Sequence, residues 1–223
     1  MKIKVFYEDN HLLVVEKPVN MLSQSDNTKD KDLLTLVKEY IKEKYHKPGN
    51  VYVGLIHRLD RPVGGIMVFA KTSKAASRLS KQIQEHKMKK YYLAIVNGII
   101  EEDKGTYHDK IKRLPNGNSV ISEDGKDAIL EYEVLERNKI KKKTLVKILL
   151  KTGRHHQIRV QFAYHKHSLC GDQRYGVEDK TQIALYAYRL EFEHPTTKER
   201  LIFQSSPPQI DNWTEFTVSK YVQ

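Results

Sequence analysis

The sequence predicts an α+β fold built on a large, mostly antiparallel sheet. Three observations carry that prediction. Short apolar or alternating runs recur along the chain, at 12–15, 51–56, 66–70, 91–96, 130–134, 146–150, 183–192 and 200–204. Only three stretches carry a helical pattern. Strands and helices do not alternate strictly, as a parallel βαβ sheet would require.

In order, residues 12–15 read as a short buried strand ended by Lys17-Pro18, and 23–32 as a polar, Asp-rich loop. Asp32 is placed to cap a helix with Leu33, Val37, Tyr40 and Ile41 on one face. Pro48-Gly49 is expected to end it. Residues 51–56 and 66–70 read as strands flanking a compact loop, His57-Arg58-Leu59-Asp60-Arg61-Pro62-Val63-Gly64-Gly65. Thr72 caps a second helix whose apolar line is Ala76, Leu79 and Ile83. Residues 91–96 form a strand closed by Asn97-Gly98. Residues 103–126 carry Leu-Pro-Asn-Gly at 114–117 and Glu-Asp-Gly at 123–125, and read as a β-hairpin excursion or a mobile loop. Leu130, Tyr132 and Val134 alternate with Glu131 and Glu133, and a partner strand uses Val146, Ile148 and Leu150. The lysine cluster at 139–143 between them reads as a charged hairpin tip. After Gly153 a helix over about 154–164 is expected, and strands return before Pro207-Pro208.

The chain has 223 residues, 39% hydrophobic and 30% charged, enough to bury a core in one domain or two small ones pressed together. The expectation is a single domain over 1–223. Thirty-nine Lys and Arg against 28 Asp and Glu leave a net charge of +11. A partner rich in phosphates is the leading inference, ahead of an anionic membrane surface. The single Cys170 excludes a disulfide scaffold and a four-cysteine zinc site. No stretch approaches the ~18 apolar residues of a membrane span, and charge returns too early at the N-terminus for a signal peptide. The expected location is the cytoplasm.

The densest chemical feature is 57–65. Asp60 stands between Arg58 and Arg61, and a carboxylate among guanidiniums favours its ionised form. A structural Asp–Arg pair would look the same from sequence; the turn between two apolar strands weighs toward function, because a rigid scaffold aims the side chain. A second feature is Leu150-Lys-Thr-Gly-Arg154-His-His-Gln-Ile-Arg159, where Arg154, Arg159 and helix N-terminal amides suit phosphates. On a continuous helix Arg159 would share a face with His155 and His156. The third is Lys87-Met-Lys-Lys-Tyr-Tyr92, with rings to stack on bases and ammonium groups to hold backbone. Ordinary strand tyrosines with snorkelling lysines fit it equally well. The histidines at 155, 156, 165 and 167 lack acidic neighbours between 154 and 171, which disfavours a divalent metal. No P-loop, Gly-x-Ser-x-Gly or dinucleotide fingerprint is present. What is left is one ionised carboxylate with basic and aromatic neighbours and no cofactor site.

At these residues the chain resembles the RluA-type RNA pseudouridine synthases. The family's His-Arg-Leu-Asp, spacer, Gly, apolar strand and Ala-Lys fits 57–71. Lys-x-Tyr-x-Ala-x-Val-x-Gly fits 90–98, and Leu-x-Thr-Gly-Arg-x-His-Gln-Ile-Arg with Gly-Asp-x-x-Tyr-Gly fits 150–159 and 171–176. Tyr7-Glu-Asp, Lys17-Pro18 and His194-Pro195-Thr also fit, so the likeness spans nearly the whole chain. Val63-Gly64-Gly65 departs from the common Thr-Ser-Gly, which bears on loop detail and target choice.

The resemblance implies a pseudouridine synthase fold, a long mixed sheet in two halves with flanking helices and a central cleft. It implies a stand-alone catalytic domain with no accessory RNA-binding domain in front. It implies site-specific isomerisation of uridine to pseudouridine in ribosomal or transfer RNA, without cofactor or metal. Asp60 would be the nucleophile, Arg159 its basic partner, Tyr92 the ring on the target uracil, Arg58 the filler of the vacated stack, and Leu150 a contact to the nucleotide. No membrane and no obligate protein partner are implied, and a monomer is expected. Two rivals are a non-catalytic RNA-binding module and a phosphodiesterase using the histidines.

Overall fold

The computed structural model describes residues 3–28, 30–177 and 179–222. In chain order its elements are β1 (Lys4–Glu8), β2 (Leu12–Lys17), α1 (Leu33–Lys44), β3 (Gly54–Leu55), β4 (Gly64–Ala70), α2 (Ser73–Gln84), β5 (Lys89–Asn97), β6 (Lys104–Arg113), β7 (Ser119–Ile121), β8 (Lys126–Asn138), β9 (Lys143–Leu150), α3 (Gln157–Tyr164), β10 (Leu185–Glu193) and β11 (Arg200–Gln204). Two 3-10 turns follow at Asp211–Glu215 and Val218–Tyr221. The class is α+β, as expected. The chain divides into two compact units, Met1–Met88 with Arg189–Ser205 and Lys89–Tyr188 with Ser206–Gln223.

In the first unit β2 lies between β1 and β4, antiparallel to both, with Leu12 opposite Ala70 and Lys17 opposite Gly65. Leu12, Leu13, Val14 and Val15 are fully buried, each contributing roughly 1.5–3 kcal/mol by removal from water. β11 pairs with the second half of β10. Helix α1 starts as predicted, with Asp32 accepting from the Thr35 amide at 3.0 Å. It stops earlier than Pro48: His46 enters the left-handed region at φ 48° and breaks the ladder at Tyr45. Helix α2 is capped by Thr72, which accepts from the Ala75 amide. The strand expected over 51–56 is only the two residues of β3. Just Gly54 and Leu55 find partners, on Ala70 and Phe69, and a Cβ at 54 would meet Ala76 of α2 at 2.9 Å. The early and late sequence matches meet here. His194 Nδ1 accepts from the Thr196 and Thr197 amides, so Nε2 carries the proton and donates to Asp9 at 2.7 Å.

The second unit is an antiparallel sheet in the order β5-β9-β8-β6-β7. Leu130, Tyr132 and Val134 lie opposite Leu150, Ile148 and Val146, on the partner strand the sequence predicts. The excursion at 103–126 is ordered as β6 and β7. One sheet face carries Leu93, Ile95 and Leu145 into a core with Tyr186, Tyr188 and the single Trp213, which is 2% exposed. The opposite face carries Tyr92, Ile148, Leu150 and Tyr132. Against it lies α3, whose Phe162 meets Tyr107 and Tyr132 edge-on at 5.1 and 5.9 Å. Helix α3 begins at Gln157, three residues later than expected, because His156 adopts φ 55°. His155 and His156 therefore precede the helix and do not share a helical face with Arg159.

Candidate active site

Asp60 stands in the first unit, in the turn between β3 and β4. Exposure alternates along it: Arg58 is exposed, Leu59 buried, Asp60 half-buried and Arg61 exposed. The Val63 amide donates to the Asp60 carbonyl at 3.0 Å and closes the turn. Gly65 at φ 133° adopts a backbone that a side chain would disfavour, as the chain enters β4.

The backbone on each side of Asp60 is held by the segment after β2. Ser23 Oγ donates to the Leu59 carbonyl at 2.7 Å and accepts from the Leu59 amide at 3.0 Å. Lys17, fully buried, donates through Nζ to the carbonyls of Arg61 at 3.0 Å, Met21 at 2.5 Å and Pro18 at 3.1 Å. Burial pulls the Lys17 ammonium down to about 7, while the negative charge of Asp60 opposes that fall. Lys17 and Ser23 had no role in the sequence reading. The Lys17-Pro18 match was visible, but its three carbonyl partners have no sequence signature. Arg61 pairs with Asp30 at 2.7 Å. Arg58 has no ion pair among the described residues.

Tyr92, Leu150 and Arg159 belong to the second unit. Tyr92 on β5 lies opposite Ile148 on β9, and Lys90 opposite Leu150, so all four side chains share one sheet face. Arg159 lies one turn before Phe162 on α3, on the helix side that packs toward this face. Its Nε and Nη2 fork onto Asp172 at 2.9 and 2.7 Å, with both side chains buried. The guanidinium carbon lies 5.2 Å from the Tyr175 ring centre. Asp172 also accepts from the amides of Arg174 and Tyr175, so the carboxylate that aims Arg159 is itself fixed. Gly171 at φ 73° delivers it, where a Cβ would collide with the Gln182 carbonyl. Asp172 and Tyr175 are the Gly-Asp-x-x-Tyr-Gly motif. Their spacing was legible; their attachment to Arg159 was not.

His155 and His156 serve the turn before α3, while His165 bonds Asp109 and His167 the Asn97 carbonyl. His155 Nδ1 bonds Ser119 Oγ at 3.0 Å, and His156 Nδ1 bonds Tyr175 OH at 2.7 Å. Among the described residues no three His, Cys, Asp or Glu side chains converge as metal ligands. Burial pushes the Cys170 thiol up to about 12, so it is no nucleophile at neutral pH. No helix among the described residues is long and apolar enough to cross a membrane.

Residues 11–164 match the profile of the RNA pseudouridylate synthase family. An uncharacterized RNA pseudouridine synthase of Aquifex aeolicus is 34% identical over 96% of this chain and 73% of its own length. The ribosomal large subunit pseudouridine synthase D of Pseudomonas aeruginosa is 33% identical over 96% of this chain and 71% of its own. The solved human RNA pseudouridylate synthase domain containing 4 shares the fold at a TM-score of 0.77, with 19% identity, covering 92% of this chain and 89% of that one.

Proposed function

The chain belongs to the RNA pseudouridylate synthase family, and from that premise we propose that it isomerises a specific uridine of large-subunit ribosomal RNA to pseudouridine, with Asp60 as the nucleophile. The observation that carries the reading is Asp60 itself: a single half-buried carboxylate on a turn braced at Leu59 and Arg61. The choice of ribosomal over transfer RNA rests on the relatives of the pseudouridine synthase D type.

The reaction breaks the N1–C1′ bond and makes a C5–C1′ bond; C5 loses a proton and N1 gains one. Nothing else enters or leaves. The target base must first leave its stack, at a cost of a few kcal/mol. Arg58, exposed and without an ion pair, is suited to fill the gap and offset part of that cost. Asp60 acts on the extruded nucleotide. Tyr92 stacks on the uracil and Leu150 packs against it. Arg159, aimed by Asp172, supplies positive charge for the carboxylate. The +11 surface attracts RNA backbone irrespective of sequence.

The test is release of tritium from unmodified large-subunit and transfer RNA transcripts labelled at uracil C5, with EDTA present. Wild type should release it from ribosomal RNA and Asp60→Ala should not. Undiminished release by Asp60→Ala would overturn the assignment of the nucleophile. Release from transfer RNA alone would overturn the substrate.

A further inference from the structure

Among the described residues the partly buried lysines have partners, with one exception. Lys17 donates to three carbonyls, Lys71 bonds Glu8 and the Asp9 carbonyl, and Lys143 bonds Asn212 and Glu215. Lys147 pairs with Glu133. Lys90 is half-buried, yet among the described residues its ammonium has neither a hydrogen bond nor an ion pair. Burial alone lowers its proton affinity, and no carboxylate offsets the loss. A desolvated charge without a counter-charge is costly. A fold does not keep one at the start of a strand for stability, where a methionine would pack without that cost.

Its position says what it is kept for. Lys90 points to the same sheet face as Tyr92, two residues on, so the two side chains leave the strand about 6.6 Å apart. Leu150 lies directly across from it. Its Nζ reaches the loop before α3, where a Cβ added at Gly153 would stand 3.4 Å away. A side chain at 153 would touch the ammonium; glycine places nothing against it. The neighbouring Lys87, by contrast, is engaged by Glu85. The ligand that fits is an anion within one sugar-phosphate unit of a base resting on Tyr92.

We propose that Lys90 is a binding residue for the backbone phosphate next to the target uridine, held unpaired in the free protein so that RNA supplies its counter-ion. This deepens the reading above and rests on it for the identity of the nucleotide. A phosphate contact holds the substrate before and during the reaction alike, so the effect falls on binding rather than on the chemical step.

The experiment compares wild type, Lys90→Met and Lys90→Arg. Affinity for a fluorescent, unmodified large-subunit RNA fragment is measured by equilibrium titration across salt concentrations. Lys90→Met should bind about tenfold more weakly, the size of one charge-assisted hydrogen bond. Its slope of log affinity against log salt should shrink by about 0.7–0.9, the value of one lost phosphate contact. Lys90→Arg should restore both. The melting temperature of free Lys90→Met should equal or exceed that of wild type. An unchanged salt slope overturns the proposal. So does lost turnover at unchanged affinity, which would place Lys90 at the reacting atoms, or a lowered melting temperature with no recovery in Lys90→Arg, which would make it structural. Tritium release by wild type is read separately. Its absence would sink the pseudouridine synthase assignment and leave the binding comparison interpretable.

Discussion

Replacing Ser23 by alanine tests whether the Asp60 turn is held from outside. The hydroxyl makes two hydrogen bonds to one residue, at 2.7 Å to the Leu59 carbonyl and 3.0 Å from its amide. Ser23 is 5% and Leu59 6% exposed, so water does not readily replace it. Each buried backbone group left unpaired costs about 1–3 kcal/mol, so Ser23→Ala should lose about 2–6 kcal/mol. For a chain of this size that is roughly 4–24 °C in Tm. The effect on turnover should be larger than the effect on RNA binding. Leu59 is the residue before Asp60, and a displacement of about 1 Å at a reacting group costs about a hundredfold in rate. The assay is thermal melting with single-turnover tritium release, at a temperature where the variant is still folded. A variant that melts early but turns over at the wild-type rate would refute positioning. One that melts like wild type would refute the hydrogen bonds themselves.

Two more predictions concern the other fixed points. Asp172→Ala leaves the buried Arg159 without its forked partner and should cost about 3–5 kcal/mol, with Asp172→Asn intermediate; urea titration measures it, and a loss under 1 kcal/mol would contradict the pairing. Lys17 binds its proton less tightly when folded, at about 7 against an ordinary 10.5. Between those values the unfolded chain holds more protons, so Lys17 contributes a stability that rises with pH. The wild type should therefore gain on Lys17→Met from pH 7 to pH 9 in urea midpoints, and a pH-independent difference would refute the depressed affinity.

Much of the fold was legible because it is local. The alternation at 130–134 and 146–150 identified two partner strands and their buried face, since a one-residue slip would turn an apolar set to the other face. The helix caps at Asp32 and Thr72 followed from residue type. The failures share a cause. Residues 51–53 have strand-like composition, but composition does not supply a partner strand. The helix expected from about 154 begins at Gln157, because His156 in the left-handed region delays the first turn. The site divided the same way. Asp60, Arg58 and Arg159 stand in short motifs, so their identity was readable. Their supports were not, because Lys17 uses backbone carbonyls, Ser23 acts 36 residues away and Asp172 sits 13 residues from Arg159. Lys90 could be singled out from its neighbours only by its lack of a partner.

Trp213 gives the molecule a built-in asymmetry of signal. It is the only tryptophan, and it lies in the core of the second unit with Tyr186, Tyr188 and Phe216. Indole emission thus reports directly on the melting of that unit, and unravelling confined to β1, β2 and β4 has no indole of its own to betray it. Circular dichroism sees both units. Superimposable curves from the two probes would mark one cooperative transition, and separated curves would resolve two, without a label or a truncation.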